Sequence, residues 1–143
     1  MIYASIDDLK NFKTEAELAQ LTNDNYQSQG IISEPVLLEI IEKESQFIDA
    51  YIGIRYQLPL SNPHSILTKI CIDLVVWSLY NRVSQVDDKL SIQKATAIGL
   101  LKEIKSGLIT LEGEVVKTSG KLVEFSTKAP VFDKYFKGYM DGY

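Results

Sequence analysis

Apolar residues recur with a helical period over the first three quarters of this chain and give way to short β-like runs in the last. Ser5 precedes Ile6-Asp7-Asp8-Leu9, with acids in the first turn, and this predicts a short helix capped by that serine. Thr14 followed three residues later by Glu17 has the form of a capping box, with Leu18 and Leu21 on the buried side of a second short helix. Asn23-Asp24-Asn25 through Gly30 holds neither period and reads as a turn-rich loop.

From Glu34 the pattern lengthens. Ser33 stands at the capping position and Pro35 near the first helical position. Leu37, Ile40, Ile41, Phe47, Ile48, Tyr51 and Ile52 then recur at i+3, i+4 and i+7. Carried to Tyr56, such a helix is about 34 Å long at ~1.5 Å per residue, after which Pro59 and Pro63 force the chain out of helix. The next run, about Pro63 to Val83, carries Ile66, Leu67, Ile70, Cys71, Leu74 and Val75 on one side. Ile72, Val76, Leu79 and Val83 widen that stripe nearly all round, so the helix belongs at the centre of a bundle or at a subunit interface. Asp87-Asp88 opens a further helix with Leu90, Ala97, Ile98, Leu101 and Ile104 in one stripe, and Ser106-Gly107 supplies its stop. The fold class is therefore mainly α, a small bundle of three long helices with short N-terminal helices.

The last quarter differs. Leu108 to Phe125 is rich in Val, Ile, Thr and Leu around the turn Thr118-Ser119-Gly120, which allows Glu114–Lys117 to pair with Leu122–Phe125 as a small hairpin. After Pro130, Phe132, Tyr135, Phe136, Tyr139, Met140 and Tyr143 fall at helical spacing, an aromatic stripe interleaved with Lys134, Lys137 and Asp141. The organisation expected is one helical domain over 1–111, with a hairpin and aromatic tail over 112–143 appended to it.

Composition narrows the class. At 143 residues with 45% hydrophobic and 24% charged, the chain is large enough to bury roughly 68–70% of its unfolded surface as one domain. The lone Cys71 excludes an internal disulfide framework and fits a reducing compartment. The start of the chain has no basic leader, and the longest apolar stretch, around Ile70 to Leu79, contains Asp73 and is too short to span a membrane. A net charge of −4 argues against an unspecific grip on phosphates.

Chemistry-bearing patterns are sparse. His64 is the only histidine, follows Pro63, and reads as a plain loop or helix-cap residue. Cys71, between Ile70 and Ile72, reads as buried filler rather than a nucleophile. No glycine-rich phosphate loop or nucleophile elbow occurs. Asp7/Asp8 and Asp87/Asp88 stand at helix starts, where carboxylates satisfy unpaired N–H groups, and Glu39, Glu42 and Lys43 line the solvated face of the long helix. The loop from Asn23 to Glu34 fails as a calcium loop: with Gly30 at the sixth position the ligand slots hold the neutral Asn25, Gln27 and Gln29, and the twelfth slot is Val36. Catalytic residues, metal ligands and cofactors are thus all expected to be absent. Two surfaces stand out as candidates for meeting partners: Trp77 and Tyr80 on the central helix, and the tail stripe of Phe132, Tyr135, Phe136 and Tyr139.

The run Tyr51-Ile52-Gly53-Ile54-Arg55-Tyr56-Gln57-Leu58-Pro59-Leu60 resembles the Tyr-Leu-x-x-Arg-Tyr-x-Leu-Pro-Leu signature of the Mu-like bacteriophage family of small head-tail joining proteins. Its context is similar too: an opening like Tyr3-Ala4-Ser5-Ile6-Asp7-Asp8-Leu9, a segment like Glu17-Leu18-Ala19-Gln20-Leu21-Thr22, and a closing segment like Leu101 to Gly107, in order over roughly residues 3 to 111. The chain departs from that pattern at Asn23 to Gly30, where relatives often carry an acidic loop. From Glu112 it matches only loosely, Phe132 to Tyr139 being similar in placement to a basic aromatic ending.

The resemblance implies a helical adaptor that forms a ring beneath the portal. Its partners would be other copies of itself, the portal and the tail or neck proteins, with DNA passing through unbound. It would be made in the host bacterial cytoplasm and end in the virion neck, away from membranes. Within the signature, Tyr51 and Ile52 are expected to pack inward, Arg55 to meet Asp73 or Asp49, and Leu58-Pro59-Leu60 to set the angle into the next helix. The alternative is a helical regulatory module that binds one protein partner through its aromatic tail as a helix-in-groove ligand.

Overall fold

The computed structural model describes residues 1–23 and 30–117. Among the described residues five helices follow one another: α1 (Ile6–Lys10), α2 (Glu15–Thr22), α3 (Glu34–Ile52), α4 (Ser65–Arg82) and α5 (Asp88–Ser106). The architecture is the mainly helical bundle that the apolar period predicts, with α3, α4 and α5 packed against each other and the short α1 and α2 laid on that trio.

Local chemistry sets the helix ends. Ser5 Oγ accepts from the Asp8 N–H at 3.1 Å while the Asp8 carboxylate accepts from the Ser5 N–H at 2.9 Å, so the full reciprocal capping box sits on α1. At α2 only half of the predicted box forms. Thr14 Oγ1 takes the Glu17 N–H at 3.1 Å, but the Glu17 carboxylate turns to Lys13 and the Tyr80 hydroxyl instead. Ser33 occupies the expected cap position of α3 without a side-chain cap bond, and its N–H goes to the buried Thr22 Oγ1 at 3.0 Å. Asp87 caps α5 through the Leu90 N–H, and Gly107 ends it in the left-handed region at φ 92, which only glycine adopts without strain.

α4 is the centre. Leu67, Ile70, Cys71, Ile72, Leu74, Val75, Val76 and Leu79 are all buried, against neighbours on α2, α3 and α5. At roughly 1.5–3 kcal/mol per fully buried large aliphatic side chain, this helix carries the largest share of the hydrophobic drive. The buried Ser45 of α3 is satisfied by the Tyr3 N–H at 3.2 Å and lies 3.7 Å from Cys71 Sγ. The thiol is filler as expected, and burial pushes it up to about 11.

Two helix bounds need correcting, and one segment has a partner that the sequence does not suggest. α3 stops at Ile52 rather than Tyr56, because the backbone of Arg55 to Gln57 pairs with a different part of the chain. α4 starts at Ser65 rather than Pro63, with His64 extended at its cap position. Glu114–Lys117 pairs backward: the Gln57 N–H donates to Val115 O at 2.9 Å and the Lys117 N–H to Arg55 O at 2.7 Å, around an antiparallel bridge between Tyr56 and Val116. The predicted partner strand Leu122–Phe125, its turn at Thr118–Gly120, the aromatic stripe from Phe132 to Tyr143 and the loop residues Asn25, Gln27 and Gln29 lie outside the described residues.

Candidate functional site

The signature run forms the corner where α3 ends and the chain turns toward α4. The Gly53 N–H closes the last turn of α3 onto Asp49 O at 2.8 Å, and the Tyr56 N–H reaches back to Ile52 O at 2.8 Å. This tight reversal places Tyr56 inward, where it is 1% exposed and its hydroxyl accepts the buried Leu111 N–H at 2.9 Å. Leu60 is buried as well, and the Leu58–Pro59 peptide is cis. Ile52 packs fully inward as expected, whereas Tyr51 is half-buried with its ring edge-on to Phe47 at 5.2 Å.

Among the described residues Arg55 meets no carboxylate. Asp73 is held by Lys69 at 3.0 Å, and Asp49 takes the Tyr3 hydroxyl and the Met1 amino group. Because α3 ends early, Arg55 points across to the end of α5, where a Cβ added at Gly107 would lie 2.7 Å from its Cζ. A cation at that position faces the carbonyl end of the α5 dipole. Its Cζ is also 5.8 Å from the Tyr56 ring, and its buried Nε makes no hydrogen bond among the described residues.

A second clasp closes the corner from outside. Glu114, with its side chain 1% exposed, accepts the Ser61 N–H at 2.7 Å and the Asn62 N–H at 3.0 Å, and pairs with His64 Nε2 at 2.6 Å. Burial works to raise the Glu114 carboxyl, but these two backbone donors and the imidazole outweigh it and hold it below its ordinary value. The sequence reads His64 as a plain loop or helix-cap residue; it stands at the cap position of α4 without a side-chain cap bond, and sequence reasoning misses its pairing with Glu114. Its partner is 50 residues away, and no local spacing announces it.

The candidate partner-facing residues are placed as follows. Trp77 is half-buried on α4 beside an open groove lined by Ile40 and Phe47 of α3, and the Lys94 Nζ sits over its ring at 3.5 Å. Tyr80 is half-buried on the α2 side, with the Lys13 Nζ 5.2 Å from its ring and its hydroxyl 3.5 Å from Glu17. Phe132, Tyr135, Phe136 and Tyr139 lie outside the described residues. Among the described residues no group of three metal-ligating side chains gathers, and no helix is long and apolar enough to cross a membrane.

Two comparisons with known proteins bear on this arrangement. The family model described as "Bacteriophage Mu, Gp36" matches residues 3–123. The curated protein "Gene product J" of Escherichia phage Mu is 28% identical over 145 residues, covering 98% of this chain and 100% of that protein. The matched span contains the corner and both segments that close on it.

Proposed function

The chain belongs to the bacteriophage Mu Gp36 family, and from that premise we propose that it is a structural connector between the phage head and tail. In this reading copies of the chain form a ring between the portal and the tail or neck proteins, in the virion neck, after synthesis in the host cytoplasm. No cofactor or catalytic step is involved.

The observation that carries the reading is how the signature is used. Tyr56, Leu60 and Arg55 are committed to one rigid corner that locks α3, the end of α5 and the 111–117 return into a single body. A segment whose polar groups serve shape suits a protein that works by geometry, since a closed ring needs each subunit to present two unlike faces at a fixed angle. The net charge of −4 fits a channel wall past which DNA slides without being gripped.

The test is to mix the purified protein with isolated portal rings and view the product by electron microscopy. A further ring of density stacked on the portal is expected. A stoichiometric 1:1 complex with a soluble protein in place of the ring, or phage lacking this gene that still join capsids to tails, overturns the reading.

A further inference from the structure

The two ends of α3 carry opposite charge around exposed apolar side chains. Where α3 and α5 finish, the bridge between Tyr56 and Val116 and the packing of Arg55 on Gly107 gather Ile54, Leu108 and Val115, which are 60%, 69% and 57% exposed. Lys102 and Lys105 are exposed on the last turns of α5, with the Lys105 Nζ 5.8 Å from the Tyr51 ring, and Lys117 is exposed next to Val116, against the acids Glu103 and Glu112 on the same segments. None of the three lysines forms an ion pair among the described residues.

Toward the start of α3 the sign reverses. Glu34, Leu38 and Glu42 follow one another at i+4 and so share a stripe, with Glu39 beside it. Leu38 is 53% exposed, and the three glutamates are exposed, form no ion pair among the described residues and outnumber the exposed Lys43 beside Glu42.

We propose that these two surfaces are the halves of one contact, so that the apolar, basic end around Leu108 in one copy seats on the apolar, acidic face around Leu38 in the next. The occupant is a second copy of this chain because both complementary halves are on the same molecule. They cannot satisfy each other internally: the fourteen helical steps from Leu38 to Ile52 separate them by about 21 Å at ~1.5 Å per residue. An apolar centre with a rim of opposite charges gives register and partner choice. The contact is heterologous, joining unlike faces, so it makes no symmetric pair and closes into a ring where the rotation between successive copies completes a full turn. The inference rests on the connector reading and adds which faces meet.

Cysteine pairing tests it cleanly, because Cys71 is fully buried and leaves no competing thiol on the surface. Leu38→Cys and Leu108→Cys change exposed side chains and leave the core intact. Mixing the two single variants under mild oxidation should give a dimer linked between positions 38 and 108, and a chain carrying both changes should give a ladder of higher oligomers. Adding K102E and K105E to the Leu108→Cys chain should lower the yield about tenfold, and adding E39K and E42K to its Leu38→Cys partner should restore it.

A homodimer of either single variant as the main product overturns the proposal. So does wild-type protein that forms rings on the portal while the mixed variants do not link, and that outcome leaves the connector reading standing. If wild-type protein forms no ring alone or on the portal, the connector reading falls and this pairing falls with it.

Discussion

The centre of α4 and the corner at residues 53–64 hold the same small bundle by different means. Around α4 the structure is kept by many undirected apolar contacts, and Leu67, Ile70, Val75 and Leu79 are entirely buried. At the corner a few directed polar bonds do the work: Leu111 to Tyr56, Ser61 and Asn62 to Glu114, and His64 to Glu114. The first region supplies stability through close packing. The second supplies an angle, and each of its bonds has no substitute nearby.

That contrast predicts a graded response to substitution. Leu74→Ala, at a position 1% exposed in the middle of α4, removes three carbons from a packed interior. Because its neighbours relax only partly, it should cost about 2–5 kcal/mol in a urea unfolding series. A loss below about 1 kcal/mol would mean that the centre repacks freely and that the contrast with the corner is misdrawn.

Tyr56→Phe is the matching change at the corner. It keeps the buried ring and removes one oxygen, leaving the buried Leu111 N–H without its acceptor. The expected cost is about 1–3 kcal/mol in the same series, the penalty for an unsatisfied buried donor. The same variant should expose the Gln57 and Lys117 amides to faster hydrogen exchange, since their bridge is anchored by that bond. Unchanged exchange there would show that the bridge stands independently of Tyr56.

The contrast also explains what was legible in the sequence. The helices and the buried stripe of α4 follow from a period that neighbouring residues carry themselves, so Ser5, Asp87 and Gly107 mark their ends correctly. The corner's bonds join residues 50 to 55 positions apart, and no local pattern encodes such a pairing. Arg55 shows the cost of reasoning without the turn. Assigning it a carboxylate assumed that α3 continues past Ile52, and the early stop redirects the side chain to the end of α5. The resemblance marked Tyr56 as part of a signature, but its hydrogen bond to Leu111 emerges only when the return segment is in place.

The gentlest probe of the corner is Glu114→Gln, read against pH. Glu114 has its carboxyl held below the ordinary 4.5 in the folded protein, so it contributes stability that is present above that value and is lost as pH falls through the lowered one. A glutamine turns an NH₂ group toward one of the two backbone donors, Ser61 or Asn62, so one of those amides loses its acceptor at every pH. Wild-type protein should therefore be the more stable of the two at pH 7, and the gap should narrow steadily below pH 4.5 as Glu114 takes up its proton. The Ser61 and Asn62 amide proton shifts should titrate over the same acidic range in the wild type and stay flat in the variant. A gap that stays constant from pH 7 to the acid limit would show that Glu114 holds the corner by its shape alone, and the distinction between an apolar centre and a charge-fixed corner would then fail.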